Sequence, residues 1–380
     1  MLTGGYLINN TKNMKYVILL LAIFFTMSLS AQVCDEESLL QKPGTWKVGM
    51  KGSEGGTPTD LAKEKKLVAA IHTMIKSKYT PMSVEAIFSG SYGAVYSTMP
   101  ANHYAYSIIP LNYYCDGNSL KIAHETSTYF GINANLFDAE IYDSPNINET
   151  STGTGYHYIL DMPIEKDGYW YFNEIDAGLG FGMKGKSKAW LITYNGKLPF
   201  AYVTKKEFLE ARKIILANTM VASASGFEDV LNRIEMEKGY KEKEYKNDPE
   251  KLKRYMKMDY TDTKARYEKL VADNEKNYKP AFSKIETLLK MSEAELNQPA
   301  IVKIDPNDYL SYLFTNDDDP MGQILIKPNP GYFNKKLPKS SPQFFWIYVR
   351  ANHKEPIATK FMVDIMKAVD FALLKNMLGK

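Results

Sequence analysis

Glu174 and Asp176 follow the aromatic triplet Tyr169-Trp170-Tyr171 and form the string with the most catalytic character in the chain. Residues two apart on a strand share one face, about 7 Å from each other. An inverting glycosidase uses carboxylates at such a separation, one to protonate the leaving oxygen and one to activate water. Aromatic rings beside them would suit a sugar. Glu174 and Asp176 are therefore the candidate catalytic residues, and Tyr169, Trp170 and Tyr171 the candidate ligand-binding residues. An acidic pair at a strand end entering a glycine loop is equally what a solvated edge looks like.

Other strings match a chemistry in letter but not in context. Gly180-Phe181-Gly182-Met183-Lys184-Gly185 has the spacing of a dinucleotide loop. That loop must open a helix whose N-terminus holds the pyrophosphate, and here a strand-like segment follows. Gly90-Ser91-Tyr92-Gly93 lacks the first glycine of a nucleophile elbow. The histidines at 72, 103, 124, 157 and 353 are never paired at ligand spacing. Asp305, Asn307, Asp308, Asn316, Asp317, Asp318 and Asp319 are rich in oxygen but lack the glycine and bidentate acid of a calcium loop. No metal and no cofactor are expected.

The only cysteines, Cys34 and Cys115, stand 81 residues apart. In an oxidising compartment they are a candidate disulfide, and closing that loop is worth about 4 kcal/mol. Val33 before Cys34 is β-branched where a lipidated cysteine has a small residue, which argues against acylation.

These residues need elements to hold them. Thr57-Pro58-Thr59-Asp60 starts a helix that carries Leu67, Ile71, Met74 and Ile75 at helical spacing, predicting an amphipathic helix from about Pro58 to Lys76. Val84 to Tyr92, Tyr104 to Cys115 and Ser119 to Tyr129 read as strands, with Asp116-Gly117 as a hairpin turn. A second β block runs through Tyr156 to Leu160, Tyr169 to Glu174, Ala189 to Tyr194 and Phe200 to Val203. Tight turns between short strands predict antiparallel pairing. Thr204-Lys205-Lys206-Glu207 is a capping box for a further helix, and Asp248-Pro249-Glu250 starts another. From Lys238 to Lys279 thirteen Lys/Arg alternate with nine Asp/Glu, the mark of a solvated helical hairpin. Pro280 should kink or end that region. Strands return at Ile301 to Ile304, Gln323 to Lys327 and Phe344 to Arg350. Phe361, Ile365, Val369, Leu373 and Met377 then predict one final helix from about Pro356 to Leu378.

The expected fold is α+β: antiparallel sheet regions with an N-terminal packing helix, an inserted helical hairpin and a C-terminal strand-plus-helix cap. The expected organisation is a leader over 1–31, a helix plus sheet over 32–145, a second β region over 146–204 that can continue the first, a charged helical region over 205–298, and β-strands with an amphipathic helix over 299–380. In the leader, Lys12 and Lys15 precede the apolar run Val17 to Phe25 and the small residues Ser28 to Ala31, a secretory signal layout too short to span a bilayer. Its removal takes two charges from the formal +3. With hydrophobic residues at 44% and charged at 24%, the 380-residue chain has globular composition, and near-neutrality argues against nucleic acid as a partner. No transmembrane segment is expected after the leader is removed. The 27 tyrosines suit half-wet strands that contact a ligand. The expectation is an exported soluble protein, periplasmic or secreted, that binds an unknown ligand or protein partner; the alternative is an extracellular hydrolase acting on glycan or peptide.

Overall fold

A computed structural model describes residues 34–50, 52, 54–94, 100–137, 142–143, 156–159, 161–178, 184–194, 196–303, 313–316, 318–319, 321–329 and 331–380. The leader over 1–31 lies outside them. The fold is α+β, as the pattern of elements predicts, and it is built around two sheets. The larger has ten strands: β1 (Thr45–Val48), β2 (Val84–Ala94), β3 (His103–Asp116), β4 (Ser119–Ile122), β5 (Tyr129–Ala134), β8 (Ile164–Lys166), β9 (Tyr169–Tyr171), β10 (Ile175–Gly178), β11 (Lys184–Ile192) and β16 (Phe345–Ala351). The smaller has six: β6 (Tyr142–Asp143), β7 (His157–Ile159), β12 (Phe200–Tyr202), β13 (Ile301–Lys303), β14 (Leu313–Phe314) and β15 (Gln323–Pro328). The larger sheet runs β1-β2-β3-β5-β16-β11-β9-β8, so a strand from the last forty residues lies between β5 and β11, which precede it by more than 150 residues. The second β block divides: β8 to β11 extend the larger sheet, while β7 and β12 join the smaller.

Antiparallel pairing holds for every described strand pair except β1 with β2, which is parallel. Two turns follow their sequence signals. Gly117 takes a positive φ of 58° between β3 and β4. Asp167 and Gly168 have φ of 56° and 78° and close the β8–β9 hairpin in the mirror-image turn that matches strand twist. The predicted Ser119 to Tyr129 strand is instead two, β4 and β5, separated by Ala123–Thr128.

One face of the larger sheet is dry because three amphipathic helices lie on it: α2 (Pro58–Lys78), α7 (Pro356–Ala368) and α8 (Phe371–Met377). α2 is capped by Thr57, whose hydroxyl accepts from the Asp60 amide at 3.2 Å. Ile71, Ile75, Phe361 and Ile365 meet Tyr106, Ile108, Phe130, Ile347 and Val349 in this core. α7 and α8 replace the single predicted C-terminal helix. The break falls at Val369, and Asp370 caps the second piece by accepting from the Leu373 amide at 2.9 Å. Among the described residues the other face is covered only from β16 outward, where Trp346, Phe344 and Leu191 meet Phe200, Ile324 and Ile326 of the smaller sheet. The boundary of this cover is marked at Gly131 of β5. The Tyr348 ring comes within 2.2 Å of where a Cβ would sit, so any side chain there collides with it.

The base of α3 (Lys205–Glu244) backs the smaller sheet through Phe208, against Val302 and Leu325. α3 then leaves the body and returns through α4 (Pro249–Tyr255), a π-helical turn (Met256–Thr261) and α5 (Asp262–Leu288). This is the expected helical hairpin. Pro280 neither ends nor visibly interrupts α5: it is exposed, so the carbonyl that loses its donor can face water. α6 (Glu293–Leu296) closes the base, where Leu296 packs with Leu209, Leu216 and Ile285. By length and composition α3 is apolar enough to cross a membrane, because no charged residue falls between Ile214 and Phe227.

At the N-terminus Cys34 and Cys115 form a disulfide that ties α1 (Glu36–Leu40) to β3. The Ser83 hydroxyl adds a donated bond to the Leu39 carbonyl at 2.5 Å. Cys115→Ser is expected to lower unfolding free energy by about 4 kcal/mol, read as a fall in urea midpoint; an unchanged midpoint would contradict the tether.

Glu64 of α2 is fully buried, with Oε1 accepting from Asn102 Nδ2 at 3.0 Å and the Gly93 amide close to the carboxylate. Burial holds its carboxyl above the ordinary 4.5, against the opposing pull of Asn102 and the Gly93 amide. Stability tied to this group is present below the ordinary value and lost as pH rises through the raised one. Glu64→Gln, which keeps the Asn102 bond, is expected to raise the urea midpoint above neutral pH, with the gain vanishing as pH approaches 4.5. A gain that grows toward acid pH would refute this reading.

Candidate functional site

The part of the larger sheet left uncovered by the smaller one carries the site. In β2 and β3 the residues that face away from the helices are paired across the strands: Glu85 with Leu111, Ile87 with Ile109, and Ser89 with Ser107. Ile87, Ile109 and Leu111 are half-buried rather than buried, since no described element packs on them. Two hollows of about 760 and 630 Å³ share Ile87 and Ile109, so together they form one trough. Each is of the size that takes a small molecule or a few residues of a polymer.

One wall of the trough is β1 and the glycine-rich chain after it. Gly49 donates its amide to the Phe88 carbonyl at 2.7 Å and Gly52 to the Gly90 carbonyl at 3.2 Å. The close approach needs glycine at 49, where a Cβ would lie 2.2 Å from the Ser89 hydroxyl. Lys47 pairs with Glu85 at 3.0 Å on this side. The opposite end is polar and aromatic. Arg350 of β16 lies 4.8 Å over the Tyr129 ring, a cation–π contact that fixes the guanidinium in the wall. Asn112 donates to Glu355 Oε2 at 3.2 Å, and Asn352 donates to Glu355 Oε1 at 2.8 Å. Asn112 is part of this lining, and its Oδ1 is buried with no partner among the described residues. Tyr114, His124 and Ser127 complete this end. His124 makes no hydrogen bond among the described residues. The trough therefore offers an apolar floor, hydroxyls and a fixed set of donors and acceptors at one end.

The residues singled out in the sequence fall elsewhere. Glu174 and Asp176 share a face as expected, but lysines on β11 hold both: Lys186 reaches Asp176 at 2.7 Å, and Lys188 reaches Glu174 at 2.8 Å. Asp176 is 78% exposed. Trp170 is not brought to them. It lies opposite Leu191 and packs into the core between the sheets, whereas Tyr171 lies opposite Trp190 on the helix side. Tyr169 meets Phe371 of α8 at 5.4 Å and carries the Lys375 ammonium 5.0 Å over its ring. The aromatic triplet thus serves both faces of the sheet.

Gly185 and Lys186 sit within β11, and 179–183 lie outside the described residues. Ser91 is on β2 at the trough's edge. Of the oxygen-rich segment, Asp305, Asn307, Asp308 and Asp317 lie outside the described residues. Asp319 is held in a turn, accepting from Thr315 Oγ1 at 2.7 Å, the Met321 amide at 2.9 Å and Lys303 at 3.2 Å, and these bonds lower its pKa. His72 stacks on Phe88 at 4.0 Å between α2 and the sheet, and burial lowers its pKa. His157 on β7 is pushed down from 6.5 to about 4 by burial.

The signal for the trough was present in β3, where Ile108 and Ile109 put apolar residues on both faces of one strand. No protein-family profile, curated protein or solved structure matches the chain.

Exposed ion pairs contribute little to stability. Asp176→Asn and Glu174→Gln are each expected to change unfolding free energy by less than about 1 kcal/mol in thermal melts. A loss of several kcal/mol from either would mean that the pair braces the β10–β11 edge.

Proposed function

We propose that the chain is an exported binding protein, periplasmic or secreted, and that its ligand lies in the trough over β2 and β3. The observation that carries this reading is an apolar floor, Ile87, Ile109 and Leu111, on a sheet face that no described element covers, next to a buried unpartnered acceptor at Asn112. Apolar side chains on an open sheet face cost solubility unless something binds there. The disulfide favours the oxidising compartment that the leader-like N-terminus calls for. The ligand this surface suits has an apolar body and a polar end that engages the Arg350 and Glu355 groups.

The hydrolase alternative draws no support from the geometry. Glu174 and Asp176 are each matched by a lysine, and Trp170 lies on the other face of the sheet.

The test is a titration with the apolar dye anilinonaphthalene sulfonate, followed by a screen of lipids, glycans and peptides. Saturable dye binding is expected for the unaltered chain. Ile109→Glu and Leu111→Glu should each weaken it about ten-fold, since a carboxylate on an apolar floor opposes an apolar guest. Asp176→Asn should leave it unchanged. Equal dye binding by all four chains, or none by the unaltered one, would sink the proposal.

A further inference from the structure

The far end of the helical hairpin is a second surface, and the trough reading has no part in it. α3 rises about 1.5 Å per residue, which places Lys243 about 50 Å beyond Leu209 at the packed base. The mixed charges of the hairpin are sorted in space. Several acids near its tip are taken up within the arm: Glu235 by Lys264 and by Tyr260 at 2.9 Å, Glu242 by Lys238 at 3.8 Å, Glu244 by Lys241 at 2.7 Å, and Asp248 by Lys251 at 3.4 Å. Lys243, Lys246, Lys253, Arg254 and Lys257 are exposed and make no ion pair among the described residues. Across residues 236–258 two acids, Glu237 and Glu250, are likewise unpaired among the described residues, so five unmatched cations face two unmatched acids.

Apolar side chains stand among these cations. Met236, Tyr240 and Met258 are 60%, 71% and 58% exposed. Met236, Tyr240 and Lys243 share one face of α3 by their spacing of four and three. Arg254, Lys257 and Met258 fall within one turn on the return limb. Each limb therefore presents cations beside apolar surface at the same end of the arm.

We propose that this tip, residues 236–258, docks on an anionic lipid surface. The unmatched lysines and Arg254 supply attraction to anionic headgroups. Tyrosine keeps an apolar body and a polar tip and settles at the headgroup level, and flexible methionines fit the irregular boundary beneath. A sulfated polysaccharide would be met by the cations alone. The three exposed apolar side chains are what favour lipid.

Vesicle flotation with the full chain tests this, comparing chains that differ only at the tip so that every other segment is common to them. The unaltered chain should float with phosphatidylcholine vesicles containing phosphatidylglycerol, much less with phosphatidylcholine alone, and high salt should remove the difference. Reversing Lys243, Lys246, Lys253, Arg254 and Lys257 to Glu should cut the anionic-lipid-dependent fraction at least about ten-fold. Met236→Ser with Tyr240→Ser and Met258→Ser should reduce it at unchanged charge. Circular dichroism should be unaltered throughout. If the reversed chain misfolds, Lys253→Gln with Arg254→Gln and Lys257→Gln serves in its place. Flotation that ignores the anionic lipid, or that survives charge reversal, overturns the proposal. Retention on dextran sulfate without flotation would also overturn it and make the tip a polyanion contact.

Discussion

Strand β16 is apolar on both faces, and most of the architecture depends on that. Phe345, Ile347 and Val349 enter the core beneath α2 and α7, while Trp346 and Tyr348 turn toward the smaller sheet. A strand buried on both sides needs a cover on both sides. The smaller sheet supplies the second cover, and α3 in turn covers that sheet through Phe208. The described residues are therefore layered from helices to sheet to sheet to helix around β16, but form only two layers around β2 and β3. The open trough is the consequence of where the second cover stops, at Tyr348 over Gly131.

The local parts of this arrangement were legible and the assembly was not. Turn chemistry placed the hairpins at Asp116-Gly117 and Asp167-Gly168, because a positive φ is a property of those residues and not of their surroundings. Thr57-Pro58 and Thr204 placed helix starts because a capping hydroxyl acts within one turn. Thr204 accepts from the Glu207 amide at 3.1 Å, but the Glu207 carboxylate goes to Lys327 instead of closing the predicted capping box. The two cysteines could be named as partners by count alone. The position of β16 between β5 and β11 had no local signal, since strand order is set by long-range packing. The parallel β1–β2 pair was missed likewise: β1 returns to the sheet through the whole of α2. Pro280 carries the local signal of a break, and its exposed setting, which lets the freed carbonyl find water, is a tertiary fact that the signal does not contain.

The candidate site shows the same limit. Spacing put Glu174 and Asp176 on one face, which holds, but spacing does not report Lys186 and Lys188 on the neighbouring strand. Nor does it report that Trp170 points into the core between the sheets. Ile87 and Ile109 lie 22 residues apart and meet only through register, so no motif joins them. The candidate surface here arises from an incomplete cover among the described residues rather than from a signature, while the arm exposes a separate surface built from unmatched charge.

Carbene footprinting of the native chain with a small diazirine, mapped by mass spectrometry, measures the open face directly. The account predicts labelling of Ile87, Ile109 and Leu111 well above that of Trp346, Phe344 and Ile347, which are sealed between layers. Protection of Ile87, Ile109 and Leu111 equal to that of Trp346 would mean that the face is covered in solution and would contradict the account.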